Sequence, residues 1–163
     1  MRNSLCLATT TLFLIAAAAA ADPPLTKDGL WSVHSTVTQN PGGMTIESTV
    51  SLCRSHAHDL RVQEEAKGKG TCKIISTRSA GETKEIETEC TIAGLTTRIK
   101  ETVTTTGEDS VHTITQSRFS PAMGGTSEMM LTADMKYAGA CPQGVEPGDT
   151  IMPDGKVVKA PKP

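Results

Sequence analysis

Aromatic side chains are scarce in this chain: they make up 2% of its 163 residues, as one Trp, one Tyr and two Phe. Rings supply much of the buried apolar area of a small domain, so the core must be assembled from Ile, Val, Leu, Met and Thr and will be thin. The same shortage argues against base stacking. Charge offers no help there either, since 16 Lys and Arg stand against 18 Asp and Glu. A nucleic-acid binder carries a basic face interleaved with rings, so no nucleic acid is expected as a partner. Catalytic signatures are missing too. There is no Gly-x-Ser-x-Gly elbow and no CxxC pair of the kind that holds zinc. Gly68-Lys69-Gly70 lacks the strand–loop–helix context of a phosphate-binding loop.

What is present begins with a leader. Arg2 gives a short positive region, Leu5 to Ala17 a mostly apolar run, and Ala19-Ala20-Ala21 a small-x-small cleavage site before Asp22. Residues 1–21 read as a secretory signal peptide rather than an anchor, because much of the run is alanine and a spanning helix wants about 20 strongly apolar residues. The expected setting is periplasmic or extracellular, with no membrane span after cleavage. Cys6 leaves with the leader. Four cysteines stay, Cys53, Cys72, Cys90 and Cys141, an even number that in an exported chain implies a disulfide framework. A single β domain over 22–142 is expected, followed by a Pro/Gly-rich tail over 143–163.

The stretch from Cys72 to Cys90 reads as a hairpin folded about Ser79–Thr83. With Gly81 at its tip, residues whose numbers sum to 162 face each other: Ile74 meets Thr88, Arg78 meets Lys84, and Cys72 meets Cys90. Directly facing residues of an antiparallel pair lie about 4.5–5.5 Å apart, within the reach of a disulfide. A Cys72–Cys90 bridge follows, and Cys53–Cys141 by elimination.

Alternation of apolar and polar residues marks further strands. Gly29–Thr38 carries Trp31, Val33 and Val37 on one face and His34 on the other, and Asn40-Pro41-Gly42-Gly43 supplies a turn into Met44–Cys53. Ser55–Ala66 breaks the pattern and reads as a short helix, capped by Ser55 and ended by Gly68. Thr96–Thr106, Ser110–Phe119 and Thr126–Tyr137 continue the strands, with Ser120–Gly125 as a longer loop. The last strand puts Met129, Leu131, Met135 and Tyr137 on one face. About seven strands joined by short connections describe an all-β antiparallel meander, curled into a curved sheet or half-open barrel. A two-sheet sandwich is the alternative. Pro and Gly density rules out a long element after Cys141, although a short pair can form around Asp154-Gly155, between Ile151-Met152 and Val157-Val158.

Gly29-Leu30-Trp31, Cys53, Cys72-Lys73, Cys90 and Lys136-Tyr137-Ala138-Gly139-Ala140-Cys141-Pro142, in that order, resemble the bacterial family catalogued as domain of unknown function 3617. The likeness spans about residues 29–142, and Glu146-Pro147-Gly148-Asp149 is similar to the tail of some members. The resemblance implies a small exported protein of a Gram-negative-type bacterium. It brings no catalytic residues.

The most chemical-looking cluster is His56-Ala57-His58-Asp59. On a strand, His56 and His58 would share a face and chelate a metal; on a helix they lie about 200° apart. His34 and His112 read as exposed strand residues, and Glu85, Glu87 and Glu89 as a solvated face that blunts a sheet edge. The leading expectation is a non-enzymatic protein with no cofactor. It would bind a small apolar ligand, or an envelope protein, on a face made by Trp31, Met44, Met129, Leu131, Met135 and Tyr137, since thioethers suit adaptable apolar contacts. The alternatives are metal handling through His56 and His58, or a structural protein with no small ligand.

Overall fold

The computed structural model describes residues 26–69 and 71–160. The expected signal peptide lies outside the described residues. Within them the chain forms β1 (Gly29–Asn40), β2 (Met44–Arg54), α1 (His56–Lys69), β3 (Thr71–Ala80), β4 (Thr83–Ile92), β5 (Leu95–Thr106), β6 (Ser110–Met123) and β7 (Thr126–Gly139). Two short strands, β8 (Thr150–Ile151) and β9 (Val157–Val158), follow.

All strands belong to one open sheet ordered β3-β4-β5-β6-β7-β1-β2-β8-β9, with every pair antiparallel. The meander is therefore present but cyclically shifted. β7 pairs with β1, from Leu30–Gly139 to Asn40–Glu128, and the sheet opens between β2 and β3 instead. α1 carries the chain across that opening. Fourteen residues of helix cover about 21 Å, from the Cys53 end of β2 to the Cys72 end of β3. An odd count of long antiparallel strands leaves β2 and β3 pointing the same way, so closure into a barrel with antiparallel ladders throughout needs one more strand.

The hairpin register differs from expectation by one residue and then recovers. Ala80 pairs with Thr83 across a Gly81-Glu82 turn, so Arg78 faces Glu85, not Lys84. A register shift between Ile74 and Ser76 leaves Ile75 unpaired and restores Cys72 opposite Cys90. The extra residue is a β-bulge, which adds twist at an edge strand. Both disulfides form as derived, Cys72–Cys90 with Cα atoms 4.0 Å apart and Cys53–Cys141 with 5.6 Å.

Three further expectations are corrected. The loop expected over Ser120–Gly125 shrinks to a Gly124-Gly125 turn, because β6 runs on to Met123. Helix α1 continues to Lys69, through Gly68. β4, with its alternating glutamates, is not an edge; β3 lies outside it. Beyond residue 142 the chain returns to the sheet, where Ser51 pairs with Ile151 and Leu52 with Thr150, and β9 folds back on β8.

Cross-strand register sorts the side chains, since directly paired residues share a face. Trp31, Leu52, Tyr137, Met135, Val111 and Thr105 fall on one side. Of the buried strand residues, Trp31, Thr105, Val111, Ser117 and Ala133 lie on that side, the inside of the curved sheet. Cys53, paired with Leu30, is instead buried on the other side, where its disulfide and the tail meet it.

Candidate functional site

The inner face gathers the apolar side chains of every long strand. Val33 pairs with Val50 and Met135, Val37 with Ile46 and Leu131, and Gln39 with Met44 and Met129. Further round, Met135 meets Val111, and Ile99 meets Thr88. Trp31, Met44, Met129, Leu131, Met135 and Tyr137 thus share one face. Burial is uneven across it. Trp31 is 0% exposed, whereas Met44 (53%) and Ile46 (50%) on β2, Ile74 (66%) on β3 and Ile92 (62%) on β4 stand open. Met44, Ile46 and Ile74 sit on the two lips of the gap, and Ile92 lies one strand in from β3.

Trp31 anchors the closed end. Its indole N–H donates to the Lys27 carbonyl at 3.0 Å, its ring meets Tyr137 edge-on at 5.9 Å, and the Arg54 guanidinium lies 5.6 Å from its centroid. Such ring pairs and cation contacts add to plain burial. Gly29 explains why a glycine precedes this tryptophan by two. It has φ +141°, and a Cβ there would run into the Gly139 carbonyl and the Tyr137 ring. Arg54 continues to Asp59 on α1 at 2.7 Å, which ties the helix start to the tryptophan.

At that end α1 and the tail interlock. The Ser55 hydroxyl accepts from the His58 N–H at 3.2 Å, as a cap should, and Asp28 accepts from the His56 N–H at 2.7 Å. His58 packs against Gly148, whose φ of +97° and lack of a side chain make room for the imidazole. The helix separates His56 from His58, so the two do not converge as chelators. Among the described residues no group of three or more His, Cys, Asp or Glu is placed to hold a metal. A cleft of about 310 Å³ lies here, lined by Ser55, Ala57, His58, Arg61, Glu146 and Pro147.

Asp149 is the residue that sequence reading missed. It is buried (2% exposed) and accepts from Lys159 Nζ at 2.8 Å and from the N–H groups of Glu146 and Ala160 at 2.7 and 3.0 Å. Those donors, Lys159 first, hold its pKa down to about 2 from the usual 3.8, against the opposing effect of burial. Its backbone carbonyl accepts from Cys53 N–H at 3.0 Å. The only sequence signal was its place in the Glu146–Asp149 tail phrase.

The outer face is mostly polar and ion-paired, with Ile114 and Met130 exposed among its polar residues. Glu89 bonds Lys73 at 2.8 Å and Arg98 at 2.9 Å, and these, Lys73 first, lower its pKa. Arg118 pairs with Glu128 at 3.2 Å. One row crosses the sheet as Thr104, His112, Asp134, His34 and Thr49. In it His112 Nδ1 meets Asp134 at 2.8 Å and His34 Nδ1 meets Thr49 at 3.0 Å. The two histidines that read as separate strand residues flank one aspartate. A small hollow of about 140 Å³ is lined by Glu87, Arg98, Lys100, Gln116 and Arg118.

Fold and site together define a class: a single-sheet, disulfide-stapled β-protein with one apolar and one ion-paired face. Over residues 26–141 the chain matches the model of a family described as protein of unknown function, DUF3617, and it belongs to that family. No curated protein and no solved structure matches it. The match stops at Cys141, so β8, β9 and the Asp149 junction lie outside it. Among the described residues no helix is long and apolar enough to cross a membrane.

Proposed function

We propose that this is an exported, non-enzymatic binding protein whose inner face takes a small apolar ligand of the acyl-chain class. The observation that carries the reading is the uneven cover of that face: Trp31, Val111 and Thr105 are buried, while Met44, Ile46 and Ile74 stand open on the two strands that bound the gap. Such inward residues on a one-layer sheet have no opposing layer, and an apolar chain laid along them removes area from water at about 25 cal/mol per Å². Methionines at positions 129 and 135 let the floor adapt to ligands of differing shape. Export is supported by the leader at residues 1–21 and by the paired cysteines.

The mature chain, purified from the cell envelope, is expected to carry lipid detectable by mass spectrometry and to bind a fluorescent fatty acid. Ile46→Lys and Ile74→Lys, both at half-exposed or more open positions, should weaken that binding about tenfold with the fold retained. Lipid-free protein that ignores the fatty acid ends the proposal.

A further inference from the structure

β2 has an edge that the sheet leaves unfinished. The N–H and C=O of Cys53 bond outward to the tail, to Asp149 and Gly148 respectively. Backbone groups alternate sides along an antiparallel strand, so those of Thr49, Glu47 and Thr45 point the same way. On that side, among the described residues, the ladder consists of Ser51–Ile151 and Leu52–Thr150 alone. β8 is thus a stub of the strand that the gap calls for. It runs antiparallel to β2, and therefore to β3 as well, and Pro153 and the turn to β9 end it after two residues.

We propose that the free edge of β2, Met44–Val50, accepts an extended segment of a partner protein as an added strand, antiparallel to β2 and in line with β8. Seven residues of edge span about 23 Å. The segment that fits alternates. Apolar residues enter the inner face beside Met44, Ile46 and Val50, and polar ones stay outside by Thr45, Glu47 and Thr49, with a cation suited to Glu47.

The other edge is guarded. β3 carries the bulge at Ile75 together with Lys73 and Arg78, devices that discourage strand pairing. β2 has neither bulge nor cation over 44–50. A second copy fits this edge less well than a foreign strand: the register that pairs all of 44–50 with itself sets Glu47 opposite Glu47, and like charges directly opposed are destabilising. This inference stands without the acyl-ligand reading, since the outward backbone groups of β2 carry it, although the added strand's apolar residues lie beside Met44 and Ile46, which that reading also uses.

The test uses the mature protein and a labelled, end-blocked peptide, Val-Thr-Val-Lys-Val-Thr-Val, followed by fluorescence anisotropy. Saturable binding is expected. Glu47→Pro removes an outward N–H without touching the β1 ladder, and should weaken binding at least about tenfold while leaving fatty-acid binding and the melting temperature unchanged. The same peptide N-methylated at its edge-facing amides should fail against the unaltered protein, which covers the case that the proline variant misfolds. Equal binding by Glu47→Pro and wild type, or none up to about 1 mM, overturns the proposal. A wild-type dimer in analytical ultracentrifugation that Glu47→Pro dissolves also overturns it, by assigning the edge to a second copy.

Discussion

Trp31 carries more of this fold than any other residue, because the chain has so few rings to share the task. It is fully buried, hydrogen-bonded at its nitrogen and enclosed by Tyr137 and Arg54. Trp31→Ala is expected to cost about 3–5 kcal/mol, read from urea unfolding curves. Its neighbour in space matters in a different way. Gly29→Ala puts a methyl group into the Gly139 carbonyl at a backbone angle that L residues avoid, which should cost about 1–3 kcal/mol and loosen the indole. Asp149 makes the tail pH-sensitive. Its carboxylate has a lower pKa folded than unfolded, so its contribution is complete above about pH 4 and is lost as pH falls through about 2. Asp149→Asn should flatten that part of a plot of unfolding midpoint against pH. An unchanged acid limb would exclude the Lys159 pairing as its cause.

Elements were legible where the signal was local and lost where it was not. The Met129–Tyr137 alternation assigned β7 its inner face, because period-2 patterning is a property of one strand. The Cys72–Cys90 pairing could be counted from the turn, and it held even though the turn register was wrong by one, because the bulge at Ile75 made up the difference. Nothing in a bare run of Lys73-Ile74-Ile75-Ser76 announces a bulge. The pairing of β7 with β1 joins residues about a hundred apart in sequence, and no local pattern encodes it. The Pro and Gly density of the tail excludes long elements and allows only the short pair around Asp154-Gly155, without saying what orders it. What orders it is a set of hydrogen bonds to one buried carboxylate, and that depends on contacts with Cys53 and Lys159. At the same scale, α1 is weakly amphipathic and depends on its start. Ser55→Ala removes the cap on His58 N–H and should destabilise the helix by about 1 kcal/mol, visible as faster amide exchange over residues 56–62.

For the whole molecule the question is what holds a one-layer sheet in a curve when no second layer braces it. The two disulfides answer it by position. Cys53 and Cys72 stand just outside the two ends of α1, so the helix that bridges the gap is tethered at its start to the end of β7 and at its finish to β4. In the loop-entropy account, a closure of 88 residues is worth about 4.6 kcal/mol and one of 18 about 3.2. Replacing Cys53 and Cys141 by Ser together should therefore cost more stability than replacing Cys72 and Cys90. The first pair also fixes the root of the tail at Cys141 beside the end of β2, so its loss should bring a second symptom, a looser tail and a weaker acid-dependent Asp149 contribution. If the two double variants lost equal stability and kept the same acid limb, the long closure would be idle, and the curvature would have to rest on the Trp31 cluster alone.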